Sequence, residues 1–144
     1  MFYLKKMTKE MHDEVLAMVE QFYHSDAVSH PVPMEKLEQT FADAVSEDSI
    51  LEGFVLNEDD TTVGFAYITE YYACEVGGRC LMFEELFLKE EFRGKGYGLL
   101  SFSYSAARNP PLIFSTVRIP CGARMRNALT LICCLGLLCS AASA

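Results

Sequence analysis

The sequence predicts an α/β domain of the α+β kind, with a mixed sheet and the element order β-α-α-β-β-β-loop-α. Apolar residues recur at helical spacing in two segments, and β-branched and aromatic residues gather in four others. A glycine-rich run from Arg93 to Gly98 then separates the last strand from a third helix. The chain has 144 residues, 51% of them hydrophobic, which is enough for one domain with its own core.

The first part of the chain is predicted to hold one strand and two helices. Residues 2–6 form the strand, and residues 31–33, with two prolines, form the loop between the helices. Pro33 suits the first turn of the second helix. The first helix is predicted from apolar residues at helical spacing, namely Met11, Val15, Met18, Val19 and Phe22. The second is predicted in the same way from Met34, Leu37, Phe41, Ala44 and Val45.

Three strands are predicted to follow. Residues 50–56 and 62–72 form a hairpin around a polar turn at residues 57–60. Gly77 and Gly78 mark the next turn, after which a strand at Leu81 and beyond leads into the glycine-rich run.

The glycine-rich run is suited to holding a phosphate. Gly94, Gly96 and Gly98 let the backbone turn sharply and direct several N–H groups into one concavity. A following helix N-terminus adds partial positive charge, and Arg93 and Lys95 add full charges. The spacing matches neither the dinucleotide fingerprint, Gly-x-Gly-x-x-Gly, nor the phosphate-binding loop of nucleotide triphosphatases, where Ser or Thr follows Gly-Lys.

The same run resembles the acetyl-CoA signature of the GCN5-related N-acetyltransferases, Arg/Gln-x-x-Gly-x-Gly/Ala. Arg93, Gly96 and Gly98 match it, and residues 84–92 look like the fourth strand of that family and its approach to the loop. The resemblance extends over residues 1–99, where the element order also agrees. It implies an acyltransferase that moves an acetyl group from acetyl-CoA, as co-substrate and without a metal, to a primary amine.

By this resemblance, the backbone of the fourth strand binds the pantetheine arm and the acetyl carbonyl, and the loop binds the pyrophosphate. The cofactor-binding residues are then Leu86, Phe87, Leu88, Arg93, Gly94, Lys95, Gly96, Tyr97 and Gly98. The base that deprotonates the amine is Glu84 or Glu85. Strand alternation lets only one of the two face a given side, and the resemblance favours Glu84.

The acceptor amine is expected to be a small cationic molecule or a peptide. All twenty acidic residues lie at or before Glu91, so the first part of the chain attracts cations. Candidates to line the acceptor site are Tyr23, Asp26, His30 and Tyr72, with Glu70 and Tyr71 beside them. His24 and His30 have no partners at metal-ligand spacing, so no metal is expected.

Residues 100–144 depart from the family pattern and are predicted to be a separate, aberrant tail rich in Cys, Leu and Ala. The tail has no acidic residue, and it lacks the family's tyrosine that protonates the leaving thiolate, so the fifth strand and the fourth helix are in doubt. We interpret this as a shift of reading frame near residues 99–103. The activity is then impaired, and the alternative function is a non-catalytic CoA-binding protein.

The remaining expectations concern location and partners. No signal peptide is visible at the N-terminus, so we expect a cytoplasmic protein with reduced thiols. Residues 128–144 are uncharged, which leaves a short membrane anchor as the weaker alternative to a loosely packed apolar tail. We expect no nucleic-acid partner. The sequence leaves the oligomeric state open, with a homodimer as one option.

Overall fold

A mixed sheet forms the centre of the domain. The computed structural model describes residues 1–25, 28, 30–74, 77–108 and 113–117. Within these residues the sheet has five strands in the order β1-β2-β3-β4-β5. The strands β1 to β4 pair with one another in antiparallel orientation, and β5 runs parallel to β4. The strands are β1 (Phe2–Lys6), β2 (Leu51–Glu58), β3 (Thr61–Ala73), β4 (Gly78–Leu88) and β5 (Ile113–Val117).

Three α-helices accompany the sheet in the described part of the chain: α1 (His12–Tyr23), α2 (Met34–Ala44) and α3 (Tyr97–Arg108). Short 3-10 turns precede α1 and the glycine-rich run, at Lys9–Met11 and Glu90–Phe92. The predicted mixed α/β fold and its element order are therefore confirmed.

The helical spacing read from the sequence locates most of the core. On α1 the buried side chains include Val15, Met18, Val19 and Phe22, as predicted. On α2 they are Leu37, Phe41 and Ala44, but Met34 is 39% exposed. Met34 is the first residue of α2, so its side chain extends beyond the apolar face. Pro33 lies just before the helix, and its carbonyl accepts hydrogen bonds from the first turn.

The sheet has an apolar cluster on each face. One cluster joins α1 and α2 to alternate strand residues that include Val55, Phe65, Tyr67 and Phe87. The other contains Leu56, Val63, Phe83 and Tyr97, the first residue of α3. Since neighbouring strand residues point to opposite faces, each strand residue in these clusters can be assigned to the α1/α2 face or to the α3 face.

The hairpin turn between β2 and β3 is tighter than predicted. β2 continues to Glu58 and β3 begins at Thr61, so Asp59 and Asp60 alone make the turn instead of residues 57–60. Asp59 has a φ of 52°, a left-handed conformation that Asp adopts more readily than most residues.

The fifth strand, which the sequence left in doubt, is present and pairs with β4. Its register runs from Cys80↔Ile113 to Phe83↔Val117, which is only the first half of β4. The helix α3 continues across residue 100, where the tail was predicted to begin. The expected fourth helix falls beyond Val117, outside the described residues, and the division at residues 99/100 stays a prediction.

Among the described residues, no helix combines the length and the apolar character needed to cross a bilayer. The segment considered as an anchor, residues 128–144, lies outside them.

Candidate active site

A bulge in β4 places the two adjacent glutamates. The β3–β4 register passes from Ile68↔Phe83 directly to Tyr67↔Glu85, so Glu84 is an extra residue on β4. A bulge of this kind interrupts the period of two along the bulged strand. The sequence gives no direct sign of it, because a bulge depends on how two strands pair.

Both glutamate side chains consequently reach the α1/α2 face of the sheet. Thr69 donates a hydrogen bond to Glu84 Oε1 at 3.0 Å, and Thr69 lies opposite Leu51, whose side chain packs against the α1/α2 cluster. Glu85 accepts a hydrogen bond from the hydroxyl of Tyr23, the last residue of α1. The expectation that only one of the two carboxylates can face a given side was therefore wrong, because the bulge cancels the alternation.

The environment of Glu85 favours its protonated form. Burial raises the pKa of Glu85, the Tyr23 hydrogen bond opposes that rise, and the charge of Glu84 adds to it. Burial and the hydrogen bond to Glu85 likewise raise the pKa of Tyr23. Glu84 and Glu85 are both partly exposed, so the pair can be reached from solvent.

The second half of β4 has one free edge within the described structure. Beyond Phe83, where the pairing with β5 ends, residues 84–88 are paired with β3 alone. Of the three predicted cofactor-binding residues there, Phe87 is buried in the α1/α2 cluster, while Leu86 and Leu88 pack on the α3 face. Their side chains are thus used by the core. The backbone groups that face the free edge remain for a ligand, except the Leu88 carbonyl, which accepts a hydrogen bond from Arg93 Nε.

The glycine-rich loop continues from this edge. Gly94 and Gly96 have φ values of 78° and 85°, in the left-handed region that glycine adopts at little cost. A Cβ added at either residue would meet no atom within 4 Å, so the space above both is open. The helix α3 begins at Tyr97, and the first N–H groups of a helix have no acceptor within it. Open space, free N–H groups and nearby cations fit the pyrophosphate of a CoA molecule.

The two loop cations are anchored to the protein. Arg93 donates from Nε to the Leu88 carbonyl at 2.9 Å, and its guanidinium lies 5.8 Å from the centre of the Phe87 ring. Lys95 Nζ lies 3.8 Å from Glu58 Oε2 and 4.7 Å from the centre of the Phe92 ring. These contacts hold both charges beside the loop.

Tyr97, predicted to bind the cofactor, has its side chain in the core. The side chain is 7% exposed and stacks on Phe2 with ring centres 4.7 Å apart. Its hydroxyl donates to Glu58, and this hydrogen bond, with burial, raises the pKa of Tyr97 to about 12. Only the backbone of Tyr97 is therefore placed to contact a ligand in the loop. Glu58, which holds both Lys95 and Tyr97, was not identified from the sequence.

The candidates for the acceptor site are dispersed. Tyr23 contacts Glu85 directly, whereas His30 is exposed in the α1–α2 connection and Asp26 lies outside the described residues. Tyr72 is 63% exposed on β3 and lies five residues beyond Tyr67, about 16 Å at the usual rise along a strand. Nearby, Glu70 pairs with Arg79 across the β3–β4 hairpin. The structure thus brings Tyr23 to the carboxylates and leaves Tyr72 at a distance.

Tyr67 was also not predicted from the sequence to belong to the site. It is 1% exposed and lies directly opposite Glu85 in the β3–β4 register. Within the described part of the chain, its hydroxyl and Glu85 Oε2 are the two buried side-chain atoms that have no hydrogen-bond partner. The predicted hairpin contained Tyr67, but its pairing with Glu85 depends on the bulge.

The described residues contain no group of His, Cys, Asp and Glu side chains able to hold a metal ion. The fold places a sheet edge, unpaired within the described chain, beside an open glycine-rich loop. The model of the acetyltransferase (GNAT) family matches residues 15–101, and the chain belongs to this family. No match was found among curated proteins.

Solved structures share the fold. A possible acetyltransferase from Clostridium difficile 630 superposes with a TM-score of 0.68 at 12% identity, covering 90% of this chain and 86% of the other. A predicted acetyltransferase with acetyl-CoA from Clostridium acetobutylicum gives 0.63 at 13% identity, covering 86% and 84%. The aminoglycoside N-acetyltransferase AAC(6')-Iy, in complex with CoA, gives 0.67 at 15% identity, covering 94% and 87%. At these identities the likeness concerns the fold alone.

Proposed function

We propose that this protein transfers an acetyl group from acetyl-CoA to a primary amine of a small cationic molecule or a peptide. The observation that carries the proposal is the free edge of β4, which leads directly into the open glycine-rich loop and lies beside two carboxylates. A ligand with a long amide-containing arm and a pyrophosphate fits this arrangement, with the arm along the strand edge and the pyrophosphate in the loop.

The cofactor-binding roles follow the direction of the strand. The backbone of Leu86, Phe87 and Leu88 would pair with the pantetheine arm along the free edge of the sheet. The N–H groups of residues 94–98, including that of Tyr97, would hold the pyrophosphate, with Arg93 and Lys95 supplying positive charge. In the family, the bound acetyl-CoA supplies the thioester that is attacked.

The reaction needs a base for the amine. An ammonium ion has no free electron pair, so it must lose a proton before its nitrogen attacks the thioester carbonyl. The new C–N bond forms and the C–S bond breaks. The first proton remains on the carboxylate, and the second proton, which the nitrogen loses as the amide forms, converts the leaving thiolate to the thiol of CoA. We assign this role to Glu84, which Thr69 orients with a hydrogen bond of 3.0 Å, and keep Glu85 as the alternative.

The proposed class of acceptor follows from the negative net charge of the protein. The formal net charge is −8 at pH 7, and the acidic residues precede Arg93, so a cationic acceptor is drawn toward the domain. Two of the similar structures are named for such chemistry: an aminoglycoside N-acetyltransferase, and a ribosomal-protein-alanine N-acetyltransferase from Brucella melitensis. Both classes of amine therefore belong in the first assay.

The leaving thiolate needs a proton donor. No tyrosine follows Tyr104, so the residue that protonates the thiolate in the family has no equivalent in the tail. This observation favours the second candidate function, a protein that binds CoA without catalysing transfer.

One experiment separates the two functions. Acetyl-CoA binding is measured by calorimetry, and CoA release is measured with panels of polyamines, aminoglycosides and peptides. Binding with release supports the acetyltransferase, and binding without release for any acceptor supports the non-catalytic protein. The absence of binding would remove both.

A further inference from the structure

The unpartnered atoms in the core lie in one cluster next to the proposed active site. Tyr67 and Glu85 are directly opposite each other on β3 and β4 and face the same side of the sheet, so their side chains are neighbours. Tyr23 completes the cluster by donating its hydroxyl to Glu85 Oε1. We call Tyr23, Tyr67 and Glu85 the tyrosine–glutamate cluster.

The cluster contains acceptor capacity that nothing in the described structure uses. Glu85 Oε2 and the Tyr67 hydroxyl are both out of contact with solvent and both lack a hydrogen-bond partner among the described residues. A buried polar group left without a partner costs free energy, so an atom that stays unpaired in a folded protein calls for an explanation. Replacing Tyr67 by Phe would remove that cost, yet the hydroxyl is present.

The chemistry of the cluster identifies the group that would satisfy it. A carboxylate oxygen and a tyrosine oxygen both accept hydrogen bonds, and a primary ammonium group donates three. Aromatic rings, here those of Tyr23 and Tyr67, also attract a cation that lies over their faces. The burial that raises the pKa of Glu85 would be offset by a cation placed beside it.

We propose that the tyrosine–glutamate cluster is a subsite for a second, still protonated amino group of the acceptor. This inference rests on the proposed function. The amine that is acetylated must be neutral when it attacks. With Glu84 as the base for that amine, an ammonium group held at Glu85 belongs to another position of the same molecule. The acceptor class is accordingly narrowed to compounds with at least two amino groups. The bulge makes this arrangement available, because it places Glu84 and Glu85 on one face.

Access to the subsite is through Tyr23. Tyr67 forms the inner end of the cluster at 1% exposure, whereas Tyr23 and Glu85 are partly exposed. An ammonium group arriving from solvent therefore meets Tyr23 and Glu85 before it reaches the Tyr67 hydroxyl.

The test compares two probes that differ by one amino group, 1,4-diaminobutane and butylamine. Their affinities for the full-length protein are measured by calorimetry with the wild type, Tyr67→Phe and Glu85→Gln. Tyr3→Phe, on the exposed part of β1, is the matched control. We expect the diamine to bind the wild type and Tyr3→Phe about tenfold more tightly than the monoamine, as one charged hydrogen-bonded contact allows. Tyr67→Phe and Glu85→Gln should lose this preference.

Thermal unfolding distinguishes a binding role from a structural one. If the Tyr67 hydroxyl is reserved for a ligand, Tyr67→Phe should melt at the same temperature as the wild type or higher, with unchanged affinity for acetyl-CoA. A lower melting temperature with the diamine preference intact would show that Tyr67 serves the fold, and would overturn the inference. So would equal affinities of the two probes for the wild type.

The experiments give different results if the subsite is absent and if the transferase function is absent. The probes are titrated into the protein alone, so the subsite is tested whether or not acetyl-CoA binds. Acetylation of butylamine without a preference for the diamine would remove the subsite and keep the transferase. The absence of acetyl-CoA binding would remove the proposed function, whatever the probes show.

Discussion

At the scale of single residues, Glu85 is notable because one of its carboxylate oxygens is buried without a hydrogen-bond partner among the described residues. It is a carboxylate between two tyrosines, on the sheet face that the apolar side chains of α1 and α2 cover. Burial disfavours its charged form and raises its pKa in the folded state. The free energy of unfolding of the domain therefore depends on the protonation of Glu85.

We expect Glu85→Gln to change how the free energy of unfolding depends on pH. The folded-state pKa of Glu85 is raised above its unfolded value, so the folded state holds this proton more tightly. The stabilisation is complete below the unfolded pKa and is lost as the pH rises through the folded pKa. Relative to Glu85→Gln, the wild type should therefore lose stability as the pH rises through the raised pKa of Glu85, as measured by urea unfolding.

The control for this measurement is Glu52→Gln, which changes an exposed carboxylate on β2. It should follow the wild-type pH dependence. Parallel curves for the wild type and Glu85→Gln would contradict the assigned burial of the Glu85 charge.

For the base, Glu84→Gln should lower kcat by a factor of about 10² to 10⁴, the range over which general bases contribute. The affinity for acetyl-CoA should change little, because Gln keeps the size of the side chain and can still accept the Thr69 hydrogen bond. Steady-state kinetics and calorimetry test the two parts separately. Wild-type turnover in Glu84→Gln would show that Glu84 is not the base, which would then be Glu85 or a group other than a carboxylate.

At the scale of elements, the glycine-rich loop has a left-handed backbone at two of its glycines, Gly94 and Gly96. We expect Gly96→Ala to destabilise the domain by about 1–2 kcal/mol, since the left-handed conformation is costly for alanine. The affinity for acetyl-CoA should fall as well, because the loop would change shape. Denaturant unfolding and calorimetry measure the two effects.

Gly78→Ala is the matched control. An added Cβ at Gly78 also meets nothing within 4 Å, but Gly78 is not among the glycines with a positive φ. Its substitution should leave stability nearly unchanged. Equal effects of the two substitutions would show that the loop does not require a left-handed backbone at Gly96.

Most of the fold could be predicted from the sequence, because periodicity is a local property of the chain. The helices α1 and α2 and the four antiparallel strands appear within a few residues of their predicted bounds. The site was harder to predict, because it depends on pairings between distant segments. The bulge at Glu84, the Tyr23–Glu85 hydrogen bond and the Glu58–Tyr97 hydrogen bond join residues that are separate in the sequence.

At the scale of the whole molecule, the chain combines two kinds of sequence. The acidic residues end at Glu91, yet α3 and β5 continue the expected architecture beyond that point. The pairing of β5 with the first half of β4 gives the sheet the fifth strand that the family fold requires. The aberrant composition therefore did not prevent this strand from being formed.

The origin of the tail is tested in the coding DNA. If a shift of reading frame occurred near residues 99–103, another frame downstream should encode a helix with the pattern Asn-x-x-Ala-x-x-Leu-Tyr. A protein made from the corrected frame should release CoA faster than the present chain, since the tyrosine would protonate the thiolate. The absence of such a pattern from every frame would refute the frame shift.

Residues 84–88 of β4, which have no second strand partner among the described residues, also bear on association between molecules. An unpaired strand edge exposes N–H and C=O groups that can pair with a strand of another molecule, and such edges promote aggregation. A ligand that pairs with residues 84–88 would occupy the same groups and also stabilise the folded state by mass action. The bound cofactor would thus block pairing of this edge with other molecules. We therefore expect the protein to aggregate least in the cell when CoA is abundant.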